Sequence, residues 1–208
     1  MKKIKVNTID LPTVNLDYLK TAFIRQNWHD INQSPWADIF PYKPIVKFQI
    51  AYDKSHIYLH YHVLEDEIKA VYSKANENVW EDSCVEFFIS LDDKKSYYNF
   101  EFNVLGTGLI GYGPAVKSER KRFSEKQIET VQTYTQISKV DNIKQWEIYL
   151  IVPLDLLEVD HLNGKTLHAN FYKCGDKLSK PHFLTWNLIE FHKPNFHLPE
   201  FFGELNFA

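Results

Sequence analysis

The sequence predicts an all-β protein: a single antiparallel β-sandwich, jelly-roll-like, with a few short helical turns. Three observations predict this class. Aromatic residues, which favour strands, make up 15% of the 208 residues, with 12 Tyr, 15 Phe and 5 Trp. Apolar and polar side chains alternate along several short segments, and turn-forming residues separate these segments. Helix signals, in contrast, are few and short.

The first half of the chain predicts one helix and two hairpins. Asn15 is a favourable N-cap residue, and the apolar run that follows it predicts a short helix over Leu16–Phe23. The first hairpin pairs Ile45–Asp53 with His56–Glu65, and the second pairs Ser83–Leu91 with Tyr97–Val104. Asp, Lys and Ser residues fill both connections, as is typical of hairpin turns.

The second half predicts strands alone, apart from one helical turn at Pro153–Leu157. The predicted strands are Thr130–Ser138, Gln145–Val152, Thr166–Cys174, Phe183–Ile189 and Gly203–Phe207. Trp146 begins an apolar alternation that continues through Ile148 and Leu150, which places it on the buried face of its strand. We therefore expect Trp146 and Phe171 to belong to the core.

Length and charge limit the organisation and the partners of the protein. A mass of 24.6 kDa indicates one domain over residues 1–208, with residues 1–27 as an N-terminal extension packed on it. The formal net charge of −3 argues against nonspecific nucleic-acid binding. No apolar run is long enough to span a membrane, so we expect no membrane partner.

The basic N-terminal residues are not followed by the apolar segment that a signal peptide requires. The default expectation is therefore a cytoplasmic protein. A secreted or periplasmic location remains open if the chain is a mature fragment.

The second hairpin has one register that pairs every apolar side chain with another apolar side chain. This register sets Glu86 opposite Glu101 and Cys84 opposite Asn103 on the other face of the ladder. Two carboxylates directly across a ladder repel each other, and a sheet does not need such a pair for stability. A hydroxyl-rich ligand, a cation or a shifted pKa would explain the pair.

Three functions remain open for this hairpin. Trp80, Asn99 and Asn103 accompany the two glutamates, and a sugar-binding face combines aromatic rings with carboxylates and amides in this way. Glu86 and Glu101 could instead be the carboxylate pair of a glycoside hydrolase. The third alternative is a structural or protein-binding sandwich.

We interpret four other motifs as structural features of the fold. Gly106, Gly108 and Gly111 match a dinucleotide-binding fingerprint in letters, but Pro114 prevents the helix that must follow, so we predict a turn. His60 and His62 share a strand face without a third metal ligand nearby in the sequence. We interpret Cys84 and Cys174 as small buried side chains and Lys117–Arg122 as a solvated loop.

Two segments of the chain contain sequence patterns that are similar to those of a known protein family. Val79–Phe88 contains the pattern W-x-D-x-x-V-E-x-F, and Tyr97–Gly106 contains Y-x-x-F-E-x-N-x-x-G. The ending, with Trp186, Pro194–Pro199 and Phe202–Leu205, completes the pattern. From about Trp28 to the C-terminus, the chain resembles the family 9 carbohydrate-binding modules.

This resemblance implies a noncatalytic β-sandwich that grips the ends of xylan-type or glucan-type chains between two Trp side chains. By position, Trp80 matches one wall of this clamp, and Glu86 and Asn103 match polar ligand-binding residues. Trp186 is the candidate for the second wall. Glu101, which we include among the ligand-binding residues, stands where characterised modules can carry Arg, so this chain departs from the family there.

The resemblance also has implications for cofactors and partners. The family binds structural calcium, although its ligands cannot be assigned in this sequence, and binding of sugar requires no cofactor. Modules of this family are usually attached to xylanases, whereas these 208 residues leave no room for a hydrolase. We therefore expect a carbohydrate ligand and a role in polysaccharide degradation beside a separate glycoside hydrolase.

Overall fold

A computed structural model describes residues 1–140 and 143–208. Within these residues the chain forms thirteen strands: β1 Lys3–Thr8, β2 His29–Asp30, β3 Ile45–Tyr52, β4 His56–Glu65, β5 Cys84–Ser90, β6 Tyr97–Asn103, β7 Gly108–Gly113, β8 Lys121–Arg122, β9 Gln132–Val140, β10 Ile143–Pro153, β11 Thr166–Cys174, β12 Phe183–Thr185 and β13 Gly203–Phe207. Two helices, α1 Leu16–Phe23 and α2 Glu125–Ile128, complete this described part, together with short 3-10 turns. No helix in the described residues is long and apolar enough to cross a membrane.

The strands follow one continuous path in the order β8-β7-β6-β5-β11-β13-β1-β3-β4-β10-β9, with β12 beside β11 and β2 beside β3. The first residues of β1, Lys3–Val6, pair with β13, and its last two, Asn7 and Thr8, pair with β3. Both of these pairings are parallel, so the sheet is mixed and the expectation of a purely antiparallel sandwich needs correction.

The two halves of this path pack against each other through aromatic side chains. Phe48 of β3 stacks on Phe171 of β11 with ring centroids 3.8 Å apart. The hydroxyl group of Tyr61 on β4 donates to the backbone carbonyl of Glu86 on β5 at 3.1 Å. The sheet therefore curls into a sandwich-like, mostly β fold. Trp146 and Phe171 are fully buried in this core, which confirms that prediction.

The N-terminal segment contributes one helix and one strand of the sheet to the fold. Asn15 accepts a hydrogen bond from the backbone N–H of Tyr18 and caps α1, as predicted. Residues 1–27, however, are not simply an extension packed on the domain, because β1 lies inside the strand order and joins its two halves. Ile4 and Val6 point into the core between exposed lysines, and this alternation was the signal for a strand.

The hairpin of β5 and β6 has the predicted register. Val85 lies opposite Phe102 and Glu86 lies opposite Glu101. The chain turns after β6 at residues 104–105, as predicted, with Gly106 at φ 80°, and Gly108 and Gly111 lie in strand β7, which pairs with β6. A Cβ atom on Gly108 would overlap the ring of Phe102, so glycine is needed there for close strand packing.

Candidate functional site

A cavity of about 410 Å³ lies on the face of β5, β6 and β11 that points away from the core. Strand periodicity produces its floor, because every second residue of these strands points to this face. The floor side chains include Glu86, Asn99, Glu101 and Cys174. The walls come from the 3-10 turn Val79–Glu81, from the segment before and within β8, and from the chain that precedes β13.

Glu86 and Glu101 are both buried at the floor, with exposed fractions of 3% and 5%. The thiol of Cys174 donates to Glu86 Oε1 at 3.1 Å, and the amide of Asn99 donates to Glu101 Oε1 at 2.9 Å. Burial raises the pKa of Glu101 to about 7, although the Asn99 hydrogen bond and the charge of Arg122 oppose this rise. Burial also raises the pKa of Glu86 well above its usual range, and negative charge on Cys174 or Glu101 adds to the effect.

Trp80 forms one wall of the cavity from the 3-10 turn Val79–Glu81. Its side chain is partly exposed, whereas Val79 beside it is fully buried and anchors the turn. The backbone N–H of Asp176 donates to the carbonyl of Trp80 at 3.2 Å, which ties the turn to the end of β11. The ring is therefore held at the rim while one part of it stays open to the cavity.

A second wall is basic, and it comes from the segment interpreted as a solvated loop. Lys117, Arg120, Lys121 and Arg122 all line the cavity. Arg120 donates to the backbone carbonyls of Gly113 at 2.7 Å and Tyr97 at 3.1 Å, and its guanidinium lies 3.9 Å from the centre of the Tyr97 ring. Arg120 therefore holds this wall in place through its hydrogen bonds, while the side chains of Lys117 and Lys121 remain exposed at its edge.

Phe196 and His197 form the part of the wall that precedes β13, and the sequence interpretation did not assign them to the site. Phe196 stacks on Tyr172 of β11 at 4.2 Å between ring centroids. Burial and the positive charge of Arg120 lower the pKa of His197 to about 3, so its ring is neutral. The sequence feature that could have identified both residues as part of the site is the Pro194–Pro199 segment of the family pattern.

Comparison with known proteins identifies the family. Residues 17–207 match the family described as carbohydrate-binding family 9. The chain belongs to this family. A family 9 chain of this kind is a carbohydrate-binding module without catalytic activity, which sets aside the glycoside hydrolase alternative for Glu86 and Glu101. A search of curated proteins gives no match.

Solved structures of similar fold agree with this assignment. A protein of Bacteroides uniformis ATCC 8492, provisionally described as carbohydrate-binding, shares 36% identity over 100% of this chain and 99% of its own, with a TM-score of 0.92. A family 9 module of Caldicellulosiruptor kristjanssonii in complex with glucose is 13% identical over 100% and 96% of the two chains, with a TM-score of 0.64. A structure of a family 9 module from that organism in complex with cellotriose is 14% identical over 99% and 93%, with a TM-score of 0.60.

Asn103, predicted as a ligand-binding residue of the family 9 site, lies outside the cavity lining. It is fully buried, and its amide donates to the backbone carbonyl of Tyr72 at 2.8 Å and to Asp82 Oδ2 at 3.0 Å. Its side-chain oxygen accepts from the backbone N–H groups of Leu105 and Thr107. With its hydrogen bonds used in this way, Asn103 holds together the loops around the site.

Trp186, predicted as the second wall of the clamp, also lies elsewhere. Its ring is 3% exposed and packs edge-on against Phe48 and Phe171 in the core between the two halves of the sheet. Of the five predicted ligand-binding residues, Trp80, Glu86 and Glu101 line one cavity, and Phe196 lines the same cavity.

The structural calcium implied by the family does not fit the clusters that the structure shows. Among the described side chains, one group of three or more His, Cys, Asp or Glu residues converges, and it consists of Cys84, Glu86 and Cys174. Calcium prefers six to eight oxygen ligands, and two sulfur atoms do not supply them. Asp82, a buried carboxylate near the site, already accepts hydrogen bonds from Val71 and Asn103.

Proposed function

We propose that the cavity binds a xylan-type or glucan-type oligosaccharide, or its end, by stacking on Trp80 and hydrogen bonding to Glu86 and Glu101. The observation that carries this proposal is the meeting of a partly exposed Trp80 ring with two buried carboxylates in one cavity. Its volume of about 410 Å³ falls in the usual range of small-molecule sites, roughly 300–1,000 Å³.

Each group has a defined role in this mechanism. The apolar C–H face of a pyranose packs on the Trp80 ring, and Phe196 adds a second apolar side chain to the cavity lining. Sugar hydroxyl groups donate hydrogen bonds to the oxygens of Glu86 and Glu101. Such a ligand would explain why two carboxylates lie directly opposite each other on neighbouring strands. The amide of Asn99 and the basic wall supply donors for the remaining hydroxyl oxygens.

The family 9 structures from Caldicellulosiruptor kristjanssonii support this class of ligand, since their complexes contain glucose and cellotriose. They share the fold with this chain at low identity, so the preference between glucan and xylan ends is left to experiment.

Calorimetry with cello-oligosaccharides and xylo-oligosaccharides tests the proposal. Trp80→Ala removes the stacking surface, and the expected loss is about 1–3 kcal/mol by analogy with stacking on nucleic-acid bases, which corresponds to roughly five-fold to 150-fold in affinity. Trp28→Ala is the matched control, because Trp28 is an exposed Trp outside the cavity lining.

Two results would contradict the proposed mechanism. One is unchanged affinity in the Trp80 variant, and the other is unfolding of that variant, which would make Trp80 a core residue. Circular dichroism of each variant separates these results from a specific loss of binding.

We also propose that the protein acts beside a separate glycoside hydrolase in polysaccharide degradation. A noncatalytic module supplies binding alone, so another protein must break the polysaccharide. Hydrolysis of insoluble xylan or cellulose by an added hydrolase should speed up with the wild-type protein and not with Trp80→Ala. Equal rates with both proteins would reject this role.

A further inference from the structure

Three potential metal ligands meet at the floor of the cavity. Cys84 of β5 lies directly opposite Cys174 of β11 in the strand register, and Glu86 follows Cys84 on the same face. The ligand atoms of these three residues all lie within 4.8 Å of one another, and Cys174 Sγ lies 3.1 Å from Glu86 Oε1. All three residues are buried, yet Cys174 and Glu86 line the cavity.

We infer that Cys84, Glu86 and Cys174 form a binding site for a thiophilic divalent cation of the zinc type. Zinc binds thiolate sulfur at about 2.3 Å and carboxylate oxygen at about 2.0–2.2 Å, in tetrahedral geometry. Two sulfur ligands on one such ion lie roughly 3.8 Å apart, so small side-chain rotations from the present positions complete the set. The fourth position points to the cavity, where water or a sugar hydroxyl can occupy it.

The chemistry of the donors selects the class of cation. Two sulfur donors with one carboxylate favour zinc and similar borderline-soft ions over calcium and magnesium, which prefer oxygen. Binding requires both thiols, and the Glu86 carboxyl group when it is protonated, to lose their protons to solvent, and the ion with two thiolates and one carboxylate then carries a net charge of −1. A cation of this kind also compensates the otherwise costly burial of the Glu86 charge.

The neighbouring ammonium group does not oppose the ion. Lys173 precedes Cys174 on β11, so its side chain points to the opposite face of the sheet. Its Nζ atom lies 2.9 Å from Glu65 Oε2, and both side chains are fully buried, so this positive charge already has a partner.

Titration of the purified protein with Co²⁺, under a phosphine reductant that keeps the thiols reduced, tests the site. We expect one equivalent of Co²⁺ to produce a thiolate-to-cobalt charge-transfer band, which Zn²⁺ then abolishes by displacement. Cys84→Ser and Cys174→Ser should each weaken Co²⁺ binding by at least ten-fold. Trp28→Ala is the matched control, since Trp28 lies outside the cavity lining and its replacement should keep the band.

Two outcomes would overturn the inference: no charge-transfer band in the reduced wild type, or an unchanged band in the double cysteine variant. If the serine variants fail to fold, the cadmium NMR shift of the wild type decides, because it reports whether two sulfur atoms bind the ion. The two proposals share Glu86, but their tests have separate readouts. Wild-type protein that binds oligosaccharide without binding Co²⁺ rejects the metal site alone, and the reverse result rejects the sugar mechanism alone.

Discussion

Glu86 and Glu101 lie directly opposite each other on neighbouring antiparallel strands, and both are buried at the floor of one cavity. Their surroundings differ. Glu101 accepts from the Asn99 amide and feels the positive charges of Arg120 and Arg122, whereas Glu86 accepts from a thiol. Because of this difference the two carboxyl groups have different pKa values, and the charge of the pair changes with pH near neutrality.

The contribution of Glu101 to the free energy of unfolding should fall as pH rises from about 4.5 to 7. Glu101 has a folded-state pKa of about 7 against an ordinary value of 4.5, so the folded protein holds this proton more tightly than the unfolded chain. Its stabilising contribution is therefore complete below the ordinary pKa and is lost as pH rises through the folded one. The change is on the order of 3 kcal/mol, from the size of the shift.

Urea denaturation across this pH range measures the effect, with Glu101→Gln as the control that cannot titrate. The free energy of unfolding of the wild type, minus that of the control, should fall over this range. An equal slope in both proteins would mean that Glu101 does not titrate in this range.

Sugar affinity should change with pH in the opposite direction. Ionised carboxylates accept hydroxyl hydrogen bonds, so we expect affinity to weaken as pH falls through the raised pKa of Glu101. Glu101→Gln should keep part of the affinity, because its amide oxygen still accepts one hydrogen bond. Glu86→Gln should lose more, since Glu86 occupies the position of the family's ligand-binding residue.

Calorimetry at pH 5 to 8 with all three proteins measures these differences, and neither variant should change a rate of glycoside hydrolysis. The order of the two variants is the decisive comparison. Greater loss in Glu101→Gln than in Glu86→Gln would contradict the proposed arrangement, as would affinity that rises on acidification.

Trp146→Ala should destabilise the fold by about 3–5 kcal/mol, the usual cost of removing a large buried aromatic side chain. The ring is fully buried, and its indole N–H donates to Glu65 Oε1 at 2.7 Å. Chemical denaturation gives the loss, and Trp146→Phe, which keeps most of the ring volume, should lose less. Oligosaccharide affinity of the folded fraction should stay unchanged, and its specific loss would place Trp146 in the binding site.

Lys173→Met should also destabilise the protein strongly, by about 3–5 kcal/mol, because it leaves the Glu65 carboxylate buried without a cation. The two charged atoms are 2.9 Å apart and both side chains are fully buried. Adding Glu65→Gln to this variant removes the unpaired charge, so the double variant should recover much of the stability. Denaturation of the two single variants and the double variant forms the test, and additive losses would contradict a coupled pair.

Local patterns in the sequence were sufficient for the helix, for most strands and for one register. Asn15 and the apolar run after it predict α1, and α1 begins and ends at the predicted residues. The strand Thr166–Cys174 has the predicted bounds. The pairing of Glu86 with Glu101 followed from matching apolar faces, because a slip by one residue would place every side chain on the wrong face.

The positions of Asn103 and Trp186 could not be obtained in this way. Both residues fit a family pattern, but the direction of a side chain depends on which elements cover it. Asn103 turns towards the loop around Tyr72, and Trp186 packs between the two halves of the sheet. The parallel pairing of β1 with β13 and β3 could not be predicted either, because strands so far apart in sequence leave no local signal of their contact.

The sequence by itself determined most of the secondary structure, the register of the central hairpin and the family, since these depend on short-range periodicity and on motifs. Only the tertiary structure decided which side chains share the cavity. Phe196 and the basic side chains of Lys117 and Arg120 reach it from segments distant in the chain, and Cys174 meets Cys84 across ninety residues of sequence. The physical reason is that burial and convergence depend on long-range packing, which brings together faces that no local sequence pattern connects.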